Sequence, residues 1–226
     1  ETSRFSYGML LISALAPDAA VIRLKEALEL FPTSSRLWLA LGIAHFKAGR
    51  NDEAAKSLNK SIELDSKYAP AFVYLGMTHV ETGDYKTALA NYEKALTLDP
   101  KLGIVDFLIS DVMMKQADSD YATIESHLVK AVKSDPKFAP ARLALGKLYL
   151  RKSQLTEAAT EFEKVIVLQP QVAEAYYQLG LAYRRLRRFD KANEQFEKFK
   201  KLSETQKEQA LKDRKDIINR LATVLF

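Results

Sequence analysis

Apolar residues along the chain recur with helical spacing in pairs of short segments. One segment carries Leu41, His45 and Ala48 on one face and the next carries Ala54, Leu58 and Ile62, a spacing that predicts two amphipathic helices. The turn between them is Gly49-Arg50-Asn51-Asp52. Its glycine suits the left-handed end of one helix, and its aspartate suits the cap of the next. The same pattern returns along the whole chain. Gly8, Gly42 and Gly76 are spaced by 34 residues, Ser110 follows by the same step, and Gly146 and Gly180 continue after one step of 36. Ala20, Ala54, Ala88, Ile124, Ala158 and Ala192 form a parallel series, as do Pro32, Ser66, Pro100, Pro136, Pro170 and Glu204. The alanine series has slipped at Ile124 while the glycine series has not yet slipped at Ser110. The extra residues therefore fall in Gln116 to Tyr121, where Ala-Asp-Ser-Asp supplies turn formers. Gly42 and Ala54 are expected to face one another between paired helices, and the prolines to end each second helix.

These residues resemble the tetratricopeptide repeat, whose unit reads W-x2-L-G-x2-Y, then A-x3-F, then P. Repeat two supplies Trp38, Leu41, Gly42, Ala54 and Leu58, and repeat six supplies Tyr176, Leu179, Gly180, Tyr183, Ala192 and Phe196. Arg4, Asp106 and Arg142 depart from it, standing where a large apolar residue is usual. The resemblance implies an all-α fold, a right-handed superhelix or solenoid of six helical hairpins at 1–34, 35–68, 69–102, 103–138, 139–172 and 173–206, in a single domain spanning 1–226. A C-terminal capping helix is expected at 207–226, opened by a Thr205/Glu208 capping box and carrying an apolar stripe of Leu211, Ile218, Leu221 and Leu225. The tail Leu-Ala-Thr-Val-Leu-Phe that ends this helix is also a candidate surface for a partner contact or self-association.

Composition narrows the chemistry. Without cysteine, thiol nucleophiles, disulfides and thiolate zinc sites are excluded. His45 and His79 sit at equivalent sites, but the same register holds Leu11, Met113, Tyr149 and Tyr183, so they read as packing residues and no metal site is assigned; His127 has no ligand pattern around it either. Glycines occur singly, which excludes a phosphate loop, and no nucleophile elbow or paired acid and base stands out. No cofactor, small-molecule substrate or enzymatic activity is expected. The most apolar stretch, Met9 to Ala16, is too short to span a bilayer, so a soluble protein is expected, while the start at Glu1 reads as a trimmed terminus and leaves the compartment open.

The expected function is protein–protein interaction. In the family the resemblance points to, first helices line a concave groove, and three series of residues fall there. Phe5, Leu39 and Val73, Met9, Ile43 and Met77, and Ile12, Phe46 and Val80 make the lining of repeats one to three apolar. Lys147, Arg151, Arg184 and Arg185 make repeats five and six basic. A peptide or partner segment with apolar anchors and acidic groups is the expected ligand. The carboxylate clamp of chaperone-tail binders is missing, since its sites hold Phe5, Met9, Ala40, Pro70 and Tyr74, or Phe107, Asp111, Ala144, Glu174 and Gln178.

Charge frames the alternatives. Residues 1–138 carry 16 Lys+Arg against 18 Asp+Glu and residues 139–226 carry 18 against 11, a balance of −2 and +7. Polyanion or nucleic-acid binding through the basic half is the alternative, disfavoured because Glu174, Glu194, Glu197, Glu204 and Glu208 interrupt the cations as on an ion-paired surface. Another alternative is the repeat portion of a larger enzyme or assembly factor. The lysine- and glutamate-rich ending resembles that of bacterial stand-alone repeat proteins, so a bacterial origin is expected.

Overall fold

In the computed structural model, residues 1–116 and 120–225 are described, 210–225 by backbone alone. Two compact units emerge, Glu1–Asp120 and Tyr121–Phe226. The first holds α1 (Thr2–Ser13), α2 (Pro17–Leu30), α3 (Ser35–Lys47), α4 (Asn51–Leu64), α5 (Ala69–Glu81), α6 (Tyr85–Leu98) and α7 (Gly103–Met114). The second holds α8 (Tyr121–Ser134), α9 (Ala139–Arg151), α10 (Leu155–Leu168), α11 (Ala173–Arg185) and α12 (Phe189–Leu225). No strand occurs among the described residues. The insertion expected in repeat four includes residues 117–119, which lie outside the described residues.

Local chemistry explains where helices begin and end. The Ser34 hydroxyl accepts from the Leu37 N–H at 3.2 Å and the Asp84 carboxylate from the Thr87 N–H at 3.1 Å, capping α3 and α6. Asp52 does not cap α4 as expected. The helix starts one residue earlier, at Asn51, and Asp52 lies in its first turn beside the positive end of the helix dipole. Second helices end at a repeated stop. Asp65, Asp99 and Asp135 accept from the N–H of Lys67, Lys101 and Lys137 at 2.9–3.0 Å, and proline follows the latter two aspartates. In repeat six that register holds Ser203 and Glu204, and nothing breaks the helix.

The separate helix expected from 207 is therefore corrected: α12 runs unbroken through this point, and Thr205 donates to the Lys201 carbonyl at 2.9 Å from inside it instead of opening a capping box. The stripe of Leu211, Ile218, Leu221 and Leu225 lies beyond the residues with described side chains.

The small residues of the first helices face large ones. A Cβ on Gly42 would stand 2.6 Å from Leu58 Cγ, and one on Gly76 would stand 2.5 Å from Tyr92 Cε1. Leu58, not Ala54, is thus the side chain against Gly42, one turn further along the second helix than expected. Gly8 meets Leu24, Gly146 meets Phe162 and Gly180 meets Phe196 in the same way. Ala54 and its counterparts Ala20, Ala88 and Ala158 are wholly buried beside these contacts.

Candidate functional site

In the first unit the first helices pack side by side, α1 on α3 and α3 on α5, and so build one continuous face. Two hollows open on it. One, of about 380 Å3, is lined by Met9, Ile12, Ile43, Lys47 and Tyr74, with Leu15 at its edge. The other, of about 140 Å3, is lined by Phe46, Met77, Val80, Leu108, Asp111 and Lys115. The Phe46 and Tyr74 rings meet edge-on, 6.5 Å apart at 71°, and form a wall shared by the two. Burial of Tyr74 pushes its hydroxyl pKa up and keeps it neutral. At the second hollow, Lys115 and Asp111 pair at 2.9 Å, and the hydrogen bond to that carboxylate holds the lysine above its ordinary range.

Six of the apolar positions singled out in the sequence thus line hollows: Met9, Ile12 and Ile43 the first, Phe46, Met77 and Val80 the second. They differ in what they offer. Met9, Phe46, Met77 and Val80 are half-buried, whereas Ile12 is buried and Ile43, 2% exposed, is a floor residue of the core. The remaining three line neither of these hollows. Leu39 is 3% exposed within the core, Val73 packs against the cluster of Tyr92 and Val105, and Phe5 lies under the Arg36 guanidinium at 4.6 Å. This series packs between neighbouring first helices.

The basic residues of the second unit are also sorted by their partners. Lys147 pairs with Glu174. Arg185 donates to the Leu150 carbonyl at 2.7 Å and to Ser153 Oγ at 2.9 Å, tying α11 to the end of α9. Arg184 is exposed and stands 5.8 Å from the Phe196 ring, and Arg151 is exposed. Two of the four cations are therefore committed within the fold. Among the described residues no group of His, Asp and Glu is arranged to hold a metal ion, and no helix is long and apolar enough to cross a membrane.

Sequence profiles described as "Tetratricopeptide repeat" match residues 33–101 and 173–205, and one described as "TPR repeat" matches residues 146–186. The chain is a tetratricopeptide repeat protein. Among curated proteins, none matches the sequence of this repeat protein. Solved structures share its fold. MamA from Desulfovibrio magneticus RS-1 is similar with a TM-score of 0.68 at 23% identity, over 76% of this chain and 96% of that one. YrrB, described as "a TPR protein with an unusual peptide-binding site", gives 0.66 at 24% identity, over 79% and 91%. The Cut9–Hcn1 assembly of the APC/C gives 0.69 at 20% identity, over 85% of this chain and 38% of that one.

Sequence reasoning missed Lys47, Leu108 and Lys115 as members of the tetratricopeptide face; it placed Asp111 in the Met9 series and met Tyr74 only as a site where the carboxylate clamp fails. A signal existed for Tyr74. Its register holds Ala40 in the preceding repeat and Ala144 later, so a lone aromatic ring there must project beyond the packing that alanine fills. Lys47 and Lys115 share a register with Arg151 and Arg185 in the last turn of the first helix, which sets a polar rim along the apolar floor.

Proposed function

We propose that this protein binds a segment of a partner protein on the first-helix face of its first unit. The observation that carries the reading is the pair of apolar hollows separated by the Phe46–Tyr74 wall, each with a half-buried methionine, Met9 or Met77, in its lining. Two spaced apolar side chains of an extended or helical segment would fill them. Methionine adapts its shape to such a guest at little cost in strain, and the rim of Lys47, Asp111 and Lys115 would orient its polar groups. The fold shared with YrrB, described as having a peptide-binding site, supports the same reading.

In the second unit, Arg151 and Arg184 are the residues we assign to acidic groups of the partner. Binding of a polyanion has less support there, because Lys147 and Arg185 already have partners within the fold.

A peptide array read against the full chain tests the proposal. Peptides with two spaced apolar residues should bind, and Met77→Asp or Met9→Asp should weaken them about tenfold, the cost of one lost anchor of ~1.4 kcal/mol. Arg184→Glu should lower the signal of acidic peptides selectively. Binding indifferent to both Met77→Asp and Arg184→Glu would refute the reading. Binding that is lost steeply with salt but survives Met77→Asp would favour a polyanion instead.

A further inference from the structure

Another hollow, of about 460 Å3, lies between α2 and α4, over α3. Its volume is that of a small-molecule pocket, for which ~300–1,000 Å3 is usual. The lining below its rim is mostly apolar. Leu28 and Leu41 are buried, and Trp38 is half-buried with its indole N–H taken by the Pro32 carbonyl at 2.9 Å, so that ring offers only apolar surface. His45 is the exception. It is 6% exposed, and its ring makes no hydrogen bond among the described residues, Nδ1 being wholly buried. Buried polar groups are nearly always paired, so an unpaired one points to a partner that none of the described residues supplies. Burial, then Arg50 and Lys25, lower the His45 pKa, with Glu53 opposing, and at neutral pH the ring is uncharged with one N–H to donate.

Repeat six shows the same register with its bonding complete. Tyr183 stands at the place of His45, and its hydroxyl donates to the Glu163 carboxylate of the preceding second helix, α10. In repeat one the residue at the place of Glu163 is Lys25. Both members of the pair have therefore changed. The ring that replaces tyrosine is shorter, and an ammonium has replaced the carboxylate that accepts. A donor and a cation are left where an acceptor is missing.

The rim says what sign the missing group carries. Lys25 on α2 and Glu53 on α4 stand at the His45 end of the hollow, since the charge of each acts on that ring. Glu29 and Lys56 lie one turn further along the same two helices. Lys25 is exposed and makes no ion pair among the described residues. Arg50 adds its charge to that of Lys25, and at the ring the two outweigh Glu53. The His45 end therefore suits an anion, and the body of the guest falls on Leu28, Trp38 and Leu41. A single inserted side chain would leave most of this volume to water, whereas a whole small molecule fills it.

We propose that this hollow binds a small carboxylic acid with an aromatic or aliphatic body. The carboxylate takes the part that Glu163 plays in repeat six, accepting from the His45 ring beside the Lys25 ammonium, and the body covers Leu28, Trp38 and Leu41. The site shares no lining residue with the hollows of Met9 and Met77 and stands whether or not they bind a peptide.

Trp38 is the one tryptophan of the chain and lines the hollow, so its fluorescence reports on the site directly. Titration of the full chain with phenylpropionate should give a saturable change, and phenylpropylamine, with the same body and the opposite charge, should bind about tenfold weaker. Lys25→Glu, which restores the carboxylate of repeat six, should weaken phenylpropionate about tenfold, while Lys25→Arg keeps its affinity and Glu53→Gln raises it. His45→Met should weaken it as well, and Met77→Asp should leave it unchanged. Lys25 and Glu53 are exposed, so their variants keep the test intact if His45→Met loosens the helices, which circular dichroism will show. No saturable change, equal binding of acid and amine, or indifference to Lys25→Glu would overturn the proposal. Tighter binding of the tripeptide Gly-Gly-Phe than of phenylpropionate would also overturn it, by making the occupant the carboxyl end of a protein.

Discussion

At the scale of single residues, Arg142 shows how a polar side chain serves at a packing position. Trp38, at the same register, donates its indole N–H to the Pro32 carbonyl at 2.9 Å, and Arg142 donates Nε to the Pro136 carbonyl at 2.8 Å. The guanidinium thus keeps the tryptophan's hydrogen bond, and its remaining charge is met by Glu161, which also accepts from Lys164. Removing one partner of a buried pair strands the other, so Glu161→Ala should cost ~3 kcal/mol in urea denaturation. Arg142→Trp combined with Glu161→Leu should be close to neutral, because the indole restores the bond to Pro136 and no charge is left buried. A double variant as unstable as Glu161→Ala would show that the pair itself holds the hairpin. His45 supplies a pH dependence. Its ring is buried, Nδ1 finds no partner among the described residues, and burial, then Arg50 and Lys25, lower its pKa below 6.5, with Glu53 opposing. The unfolded chain therefore binds a proton that the folded chain refuses. The contribution is complete above pH 6.5 and is lost as pH falls through the lower, folded value. Denaturation midpoints measured at pH 7.5 and pH 5 should differ more for the natural protein than for His45→Met, methionine being the residue at this register in repeat four.

At the scale of elements, five of the hairpin turns, all among the described residues, repeat a left-handed residue. Gly49 and Gly83 stand at φ 72° and 79°, and Leu15, Ser153 and Arg187 occupy the same register at 57°, 61° and 58°. Side chains with a Cβ are strained there, by ~1 kcal/mol. Leu15→Gly should raise the stability of the first hairpin by ~0.5–1 kcal/mol in thermal melts. Ser153→Gly should gain little, since it also removes the hydroxyl that accepts from Arg185. No gain at Leu15 would mean that its exposed side chain contributes as much as its backbone costs. Register, turns and hairpin pairing were legible in the sequence because each is written in residues with one physical use: glycine where a large side chain presses in, alanine beside it, Asp-Pro where a helix stops. What was read less well depends on side chains from other elements. Ile43 and Leu39 carry the spacing of a groove lining, yet neighbouring helices close over them, while Tyr74, which in the sequence marks only a failed clamp site, supplies one ring of the wall. The length of α12 was misread for a different reason. Thr205 and Glu208 look like a capping box, but a capping box opens a helix only where the preceding one has stopped, and Ser203-Glu204 carries no stop.

At the scale of the whole molecule, stability in a repeat array comes from each hairpin and its immediate neighbours, so damage should stay local. The chain supplies its own reporter for this. Its one tryptophan, Trp38, lies in the first unit, while circular dichroism sums the helices of both. Gly76→Leu forces a branched side chain against Tyr92, and Gly146→Leu forces one against Phe162, where a Cβ alone would come within 2.5 Å of either ring. Overpacking of this kind costs ~1–3 kcal/mol. In the Gly76→Leu protein, tryptophan fluorescence should lose its native signal at lower urea than in the unsubstituted chain. In the Gly146→Leu protein the fluorescence transition should stay nearly where it was, while the circular dichroism curve broadens and begins earlier. Two coincident transitions that shift together in both variants would mean that the units unfold as one cooperative body. The unread feature at this scale is the division into units. A constant repeat length says where each hairpin begins, but how tightly one joint holds relative to the next depends on the volumes packed there, such as Asp106 and Ser110 standing where other repeats place an aromatic residue and a glycine. If the fluorescence and dichroism curves separate as expected, the weakest joint can be located by moving the tryptophan, since Arg142→Trp with Glu161→Leu places a second reporter at the Trp38 register in the second unit, and Trp38→Phe then silences the first.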